Sequence, residues 1–110
     1  MKVVTIENVP GFTITEIKGL VLGISIRSRN FVGTWAGGVK ANFGGDQTGY
    51  ENLVKATRAS AMASLISNAE EMGANAVIGI RFDSGQFDSG QQASMAEVVA
   101  YGTAVVVEKI

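Results

Sequence analysis

The sequence predicts an α+β domain, with one long helix packed on a mostly antiparallel sheet. Three observations carry that prediction. Between Tyr50 and Met72, apolar or weakly polar residues recur at the three-and-four spacing of a helix, and the pattern stops at Gly73. Asn75 to Asp83 and Ser94 to Lys109 instead alternate with a period of two. The polar stretch between them, Ser84 to Ala93, is short enough for a hairpin, which makes the last two strands antiparallel. A helix on one face of such a sheet is an α+β arrangement.

Taken in order, Lys2 to Ile6 is a short β-branched run, and Val9-Pro10-Gly11 reads as a turn. A long strand is expected from Phe12 to about Arg27. Leu20, Leu22, Ile24 and Ile26 share one of its faces; Val21, Gly23 and Ser25 share the other. The alternation changes near Lys18-Gly19, where a bulge or bend is expected. In the later strands, Ala76, Ile78, Ile80 and Phe82 are expected to face the helix, with Val77, Gly79 and Arg81 facing away. Val99, Tyr101, Thr103, Val105 and Val107 form one face of the last strand, and Gly102 marks a bulge or a close backbone contact. The predicted order is β-β-α-β-β.

The helix is the element around which the rest is arranged. Asp46 and Thr48 are N-cap candidates, because their side-chain oxygens can accept from free first-turn amides. Thr48 and Glu51 have the form of a capping box. Glu51 and Lys55 stand at i and i+4 in the favourable orientation for an ion pair. Gly73 suits the left-handed residue that closes a helix. From Ala59 to Ala69 the helix carries no charge. Ala and Ser there permit close approach of a second surface, so the helix is read as buried on two sides, by its own sheet and by a neighbouring subunit. A domain this small does not easily cover two helix faces alone.

The chain has 110 residues, read as a single domain over residues 1–110. Only 17% of residues are charged, against 46% hydrophobic, which again places part of the surface inside an assembly. A net charge of -1 gives no electrostatic footprint for nucleic acid. No apolar run reaches the length of a membrane span, and no signal-peptide core is evident, so a cytoplasmic protein is expected. There is no Cys and no His. That removes disulfides, thiolate chemistry, the usual general base and the commonest metal ligands. No catalytic set, metal-ligand set or cofactor motif is read.

Ser28 to Gly45 carries five glycines, the only Trp (Trp35), Phe31 and Phe43. Loops of this length are usually functional or interfacial. A ligand pocket, if present, is expected where this loop meets the start of the helix. Its candidate residues are Arg27, Arg29, Trp35, Tyr50, Glu51 and Arg58. Converging guanidiniums select an anionic or carboxylate ligand, and Tyr50 or Trp35 supplies a flat apolar wall. The competing reading, that these arginines are solvated or paired with Glu51 and Asp46, carries more weight. Gly44-Gly45 reads as a tight lead into the helix and not as a phosphate loop, because Asp46 would repel an anion there. Asp83 and Asp88 read as part of a solvated hairpin turn and not as a calcium loop.

Three segments, GGDQTGYENLVKATRASAM, AEEMGANAVIGIRFD and EVVAYGTAVVV, resemble the YbjQ-like family, the putative heavy-metal-binding family of small prokaryotic proteins of unknown function. The resemblance covers nearly the whole chain, including Pro10-Gly11-Phe12 and Gly19-Leu20-Val21-Leu22-Gly23. It implies a β-α-β-β subunit of dodecin-like type, assembled as a homopentameric ring, and it carries the metal-binding label. Two functional readings follow. One is a ring-shaped oligomeric binding module with a small-molecule or anion pocket at subunit interfaces. The other is an enzyme of unassigned chemistry using Tyr50, Glu51 and Arg58. The absence of His and Cys favours the first.

Overall fold

A computed structural model describes residues 1–28, 46–88 and 94–110. Its elements are β1 (Lys2–Val3), β2 (Phe12–Ser28), α1 (Asp46–Glu71), β3 (Ala76–Asp88) and β4 (Ser94–Lys109). The four strands form one sheet in the order β1-β3-β4-β2. β4 pairs antiparallel with both β2 and β3, and β1 adds a short parallel bridge to the start of β3. The α+β class and the element order are those expected from the sequence. Among the described residues, no helix is long and apolar enough to cross a membrane.

The turn before β2 follows from two residues. Pro10 fixes φ at the second turn position, and Gly11 takes φ 84° at the third, closed by the Phe12 amide donating to the Val9 carbonyl at 2.9 Å. β2 then carries two register shifts, between Ile14 and Glu16 and between Ile17 and Gly19, where Gly19 has φ 121°. These are the irregularities expected near Lys18-Gly19.

Helix α1 buries Leu53, Thr57, Ala61, Leu65 and Ala69, one residue every four positions. Thr57 satisfies its buried hydroxyl by donating to the Leu53 carbonyl at 2.7 Å. The opposite row, Glu51, Lys55, Ala59, Ala63, Ser67 and Glu71, is exposed. The helix closes in a Schellman turn: the Ala74 amide donates to Ala69 O at 3.1 Å and the Gly73 amide to Glu70 O at 3.0 Å. The last turn holds Glu70 and Glu71 and no basic residue, the wrong sign for a helix C-terminus. Lys18 supplies a cation from β2: its Cε lies 3.5 Å from where a Gly73 Cβ would sit. The helix begins at Asp46, so Asp46 and Thr48 lie in its first turn, and the position before them lies outside the described residues. The expected Glu51–Lys55 pair is not formed; among the described residues the ion pair is Lys18 with Glu16 at 3.0 Å.

The helix packs mainly on β2 and β4. Contact is close because the facing residues are small. A Cβ at Gly23 would run into Ala61 O, Leu65 N and, at 2.8 Å, Leu65 Cβ. Ala100, opposite Gly23, is fully buried.

β3 departs from the expected alternation. Val77 joins Ile80 and Phe82 in the core under the helix, whereas Ala76 and Ile78 belong to a second cluster with Val105 and Val107. The cause is a bulge at Gly79, φ 64°, across which the pairing with β4 slips between Ile78 and Arg81. One extra residue reverses the faces on either side of it. Gly102, on the adjacent stretch of β4, allows the close approach: a Cβ there would sit 2.9 Å from Ile78 O. β3 also runs on to Asp88, so Ser84 to Asp88 is strand and not turn; pairing with Ser94 to Val98 outweighs its polar composition.

Candidate functional site

The sheet has two faces of opposite character. The face under the helix is built from Val21, Gly23, Ser25, Val98 and Ala100, all buried. The other face is covered at one end, where the N-terminal segment lays Val4 and Val9 over Ala76, Val105 and Val107. Arg81 holds that segment by donating to Thr5 O at 2.9 Å. Beyond it the face is open.

Strand register defines this open face row by row. Leu22 stands opposite Tyr101, which stands opposite Arg81. Ile24 is followed across the sheet by Val99 and Asp83, and Ile26 by Glu97 and Gly85. Leu20, Leu22, Ile24 and Ile26 are 67, 41, 54 and 54% exposed. Large side chains therefore point away from the helix and small ones towards it. A soluble monomer would be expected to do the reverse, since burying the bulky side chains yields more free energy.

At one end of this apolar stripe, Asp83, Ser84, Gly85, Glu97 and Val99 line an open recess of about 150 Å³. Asp83 and Glu97 are diagonal neighbours across the β3–β4 pairing. Neither forms an ion pair among the described residues. This pairing is not evident in the sequence, because residues 14 positions apart meet only once the hairpin register is known. The period-two pattern of both strands was the available signal.

The candidate ligand residues are only partly visible. Arg29 and Trp35 lie outside the described residues, as does the side chain of Tyr50. Glu51 and Arg58 are exposed on α1. The Arg58 guanidinium lies 5.0 Å from the centroid of the Phe82 ring, a cation–π contact to β3. Arg27 follows Val21, Gly23 and Ser25 on the helix-bearing side of the sheet, is half-buried, and has an interaction of its own. Arg27 and Arg58 thus both belong to the helix-bearing side, whereas Arg81 stands on the other face. The recess with Asp83 and Glu97 lies on the opposite face.

Metal ligation can be judged from the donor set. The chain has neither thiolate nor imidazole, and among the described residues no group of three or more carboxylates gathers. Soft heavy metals prefer sulfur and nitrogen donors. Two carboxylates do not make that environment.

Comparisons with known proteins agree over nearly the whole chain. A family model described as "Putative heavy-metal-binding" (YbjQ) matches residues 1–108. The chain is 53% identical over 108 residues to a UPF0145 protein of Acidiphilium cryptum, covering 98% of this chain and 95% of that one. It is 38% identical over 108 residues to a UPF0145 protein of Chromobacterium violaceum, covering 98% of this chain and 89% of that one. A crystal structure of a protein of unknown function in the DUF74 family, from Pediococcus pentosaceus, superposes with a TM-score of 0.66 at 17% identity, covering 98% of each chain. That last likeness shows the fold.

Proposed function

The chain belongs to the YbjQ family, and on that premise we propose that it is a homo-oligomeric binding module, with a site for a small molecule or anion at its subunit interfaces. Five subunits in a ring is the arrangement that the family resemblance implies. The observation that carries the reading is the open stripe Leu20, Leu22, Ile24 and Ile26, which has no cover within the described residues of the subunit. Half-exposed Leu and Ile side chains each contribute about 1 kcal/mol when covered, so the four together favour association by roughly 4 kcal/mol. Tyr101 and Val99 widen the stripe into β4.

The ligand part of the proposal rests on Arg27 and Arg58, which share the helix-bearing side of the sheet; Arg27 stands just before the Arg29 to Gly45 segment, and Arg58 on the helix that follows it. Ile24→Asp tests the assembly: the charge sits on an exposed position, so far-UV circular dichroism stays unchanged while the particle mass falls to that of one subunit. An unchanged mass overturns the reading. Calorimetric titration with inorganic phosphate and with a short dicarboxylate tests the ligand, with Arg58→Gln as the weakened variant.

A further inference from the structure

We propose that the open sheet face receives the outer row of α1 from a second copy of this chain, with Lys55 of that copy seated in the recess formed by Asp83 and Glu97. This rests on the proposed self-assembly and specifies its partner surface and direction.

The two surfaces match in size and polarity. The outer row of α1 presents Ala59, Ala63 and Ser67, all exposed and uncharged, with Lys55 before them and Glu71 after. From Lys55 to Ser67 a helix rises about 18 Å. From Leu20 to Ile26 a strand rises about 20 Å. The bulky stripe and the flat row therefore match in length, and small residues let the stripe approach the helix backbone.

Charge supplies the direction. Within the subunit the helix runs antiparallel to β2: Gly73 lies by Lys18, Asn68 donates to Leu22 O at 2.8 Å, and Ala61 and Leu65 lie over Gly23. The N-terminal half of α1 therefore points to the Ile26 end of the sheet. On the other face that same end holds Asp83 and Glu97. A second helix laid on the stripe in the same direction as the subunit's own brings Lys55 to the two carboxylates. The reverse direction brings Glu71 to them, and like charges at close range oppose docking. Lys55, Asp83 and Glu97 have no ion-pair partner among the described residues of the subunit.

Copies related in this way repeat the same direction, with one surface of each against a different surface of the next. That is a heterologous contact, which closes into a ring when the rotation permits. A two-fold dimer that packs the sheet face on itself would not bring Lys55 to the acidic recess, since Lys55 lies on the outer row of α1.

The test is charge reversal read by sedimentation velocity, with circular dichroism as the control for folding. Lys55→Glu is expected to raise the dissociation concentration at least tenfold. Asp83→Lys with Glu97→Lys is expected to do the same. The triple variant is expected to recover most of the assembly. If the double variant does not fold, Lys55→Glu against Asp83→Lys alone carries the same comparison. Reversals that leave the wild-type mass in place while Ile24→Asp dissociates it overturn the pairing and leave the assembly standing. A triple variant no better than its parents also overturns the pairing. A wild-type monomer overturns both.

Discussion

Gly23→Ala should be among the most damaging single-methyl additions in the chain. The added Cβ would lie 2.8 Å from Leu65 Cβ and closer still to Ala61 O and Leu65 N. Carbon atoms in contact prefer about 3.5–4 Å, so something must move by about 1 Å. Two of the three obstacles are helix backbone, which cannot rotate away as a side chain can. The whole of α1 must lift from β2, and Leu65 and Ala61 are fully buried in that contact. Overpacking costs about 1–3 kcal/mol when side chains adjust. With backbone in the way, a loss of about 3 kcal/mol is expected, a large share of the roughly 5–15 kcal/mol that holds a domain together. Urea unfolding in an Ile24→Asp background, where assembly does not contribute, measures it, with Gly85→Ala as control, since no atom of the subunit lies within 4 Å of a Cβ there and its φ is ordinary. Gly85→Ala should stay within about 0.5 kcal/mol. A Gly23→Ala variant as stable as Gly85→Ala would refute the account of helix–sheet packing.

Asn75→Ala should cost roughly 1 kcal/mol in the same assay, because the Asn75 side chain donates to Val107 O at 3.0 Å and accepts from the Val107 amide at 2.8 Å, extending the β3–β4 ladder by one step; no change in urea midpoint would refute that role. Titration calorimetry with zinc, copper and cadmium at neutral pH should show no stoichiometric submicromolar site, since the chain offers neither thiolate nor imidazole. A tight site would contradict this. Ala63→Arg should dissociate the assembly and leave the fold intact, because Ala63 is exposed on the outer row. Ala61→Arg should instead unfold the subunit, because Ala61 is fully buried against Gly23; circular dichroism beside particle mass separates the two outcomes.

The parts of the fold set by local periodicity were legible in the sequence. The helix at Leu53 to Ala69, its stop at Gly73 and the split of β2 into a bulky and a small face each follow from spacing alone. The sequence did not reveal which face the helix would choose. Hydrophobicity argues for Leu20 to Ile26, and the helix sits on Gly23 because close approach needs a small partner. The Gly79 bulge was equally hidden: one inserted residue put Val77 under the helix, against the simple alternation. The Asp83–Glu97 recess depended on hairpin register, a non-local quantity. Of the expected ligand residues, Arg58 finds Phe82, whereas Arg29 and Trp35 lie outside the described residues.

Cover of the open sheet face by another copy of the chain can be read from the particle mass in solution. Light scattering of the wild-type protein through a dilution series at micromolar concentration measures that mass. A particle of several subunits, each of 11.5 kDa, is expected, with five the number the family resemblance implies. A particle of 11.5 kDa throughout the series would contradict it.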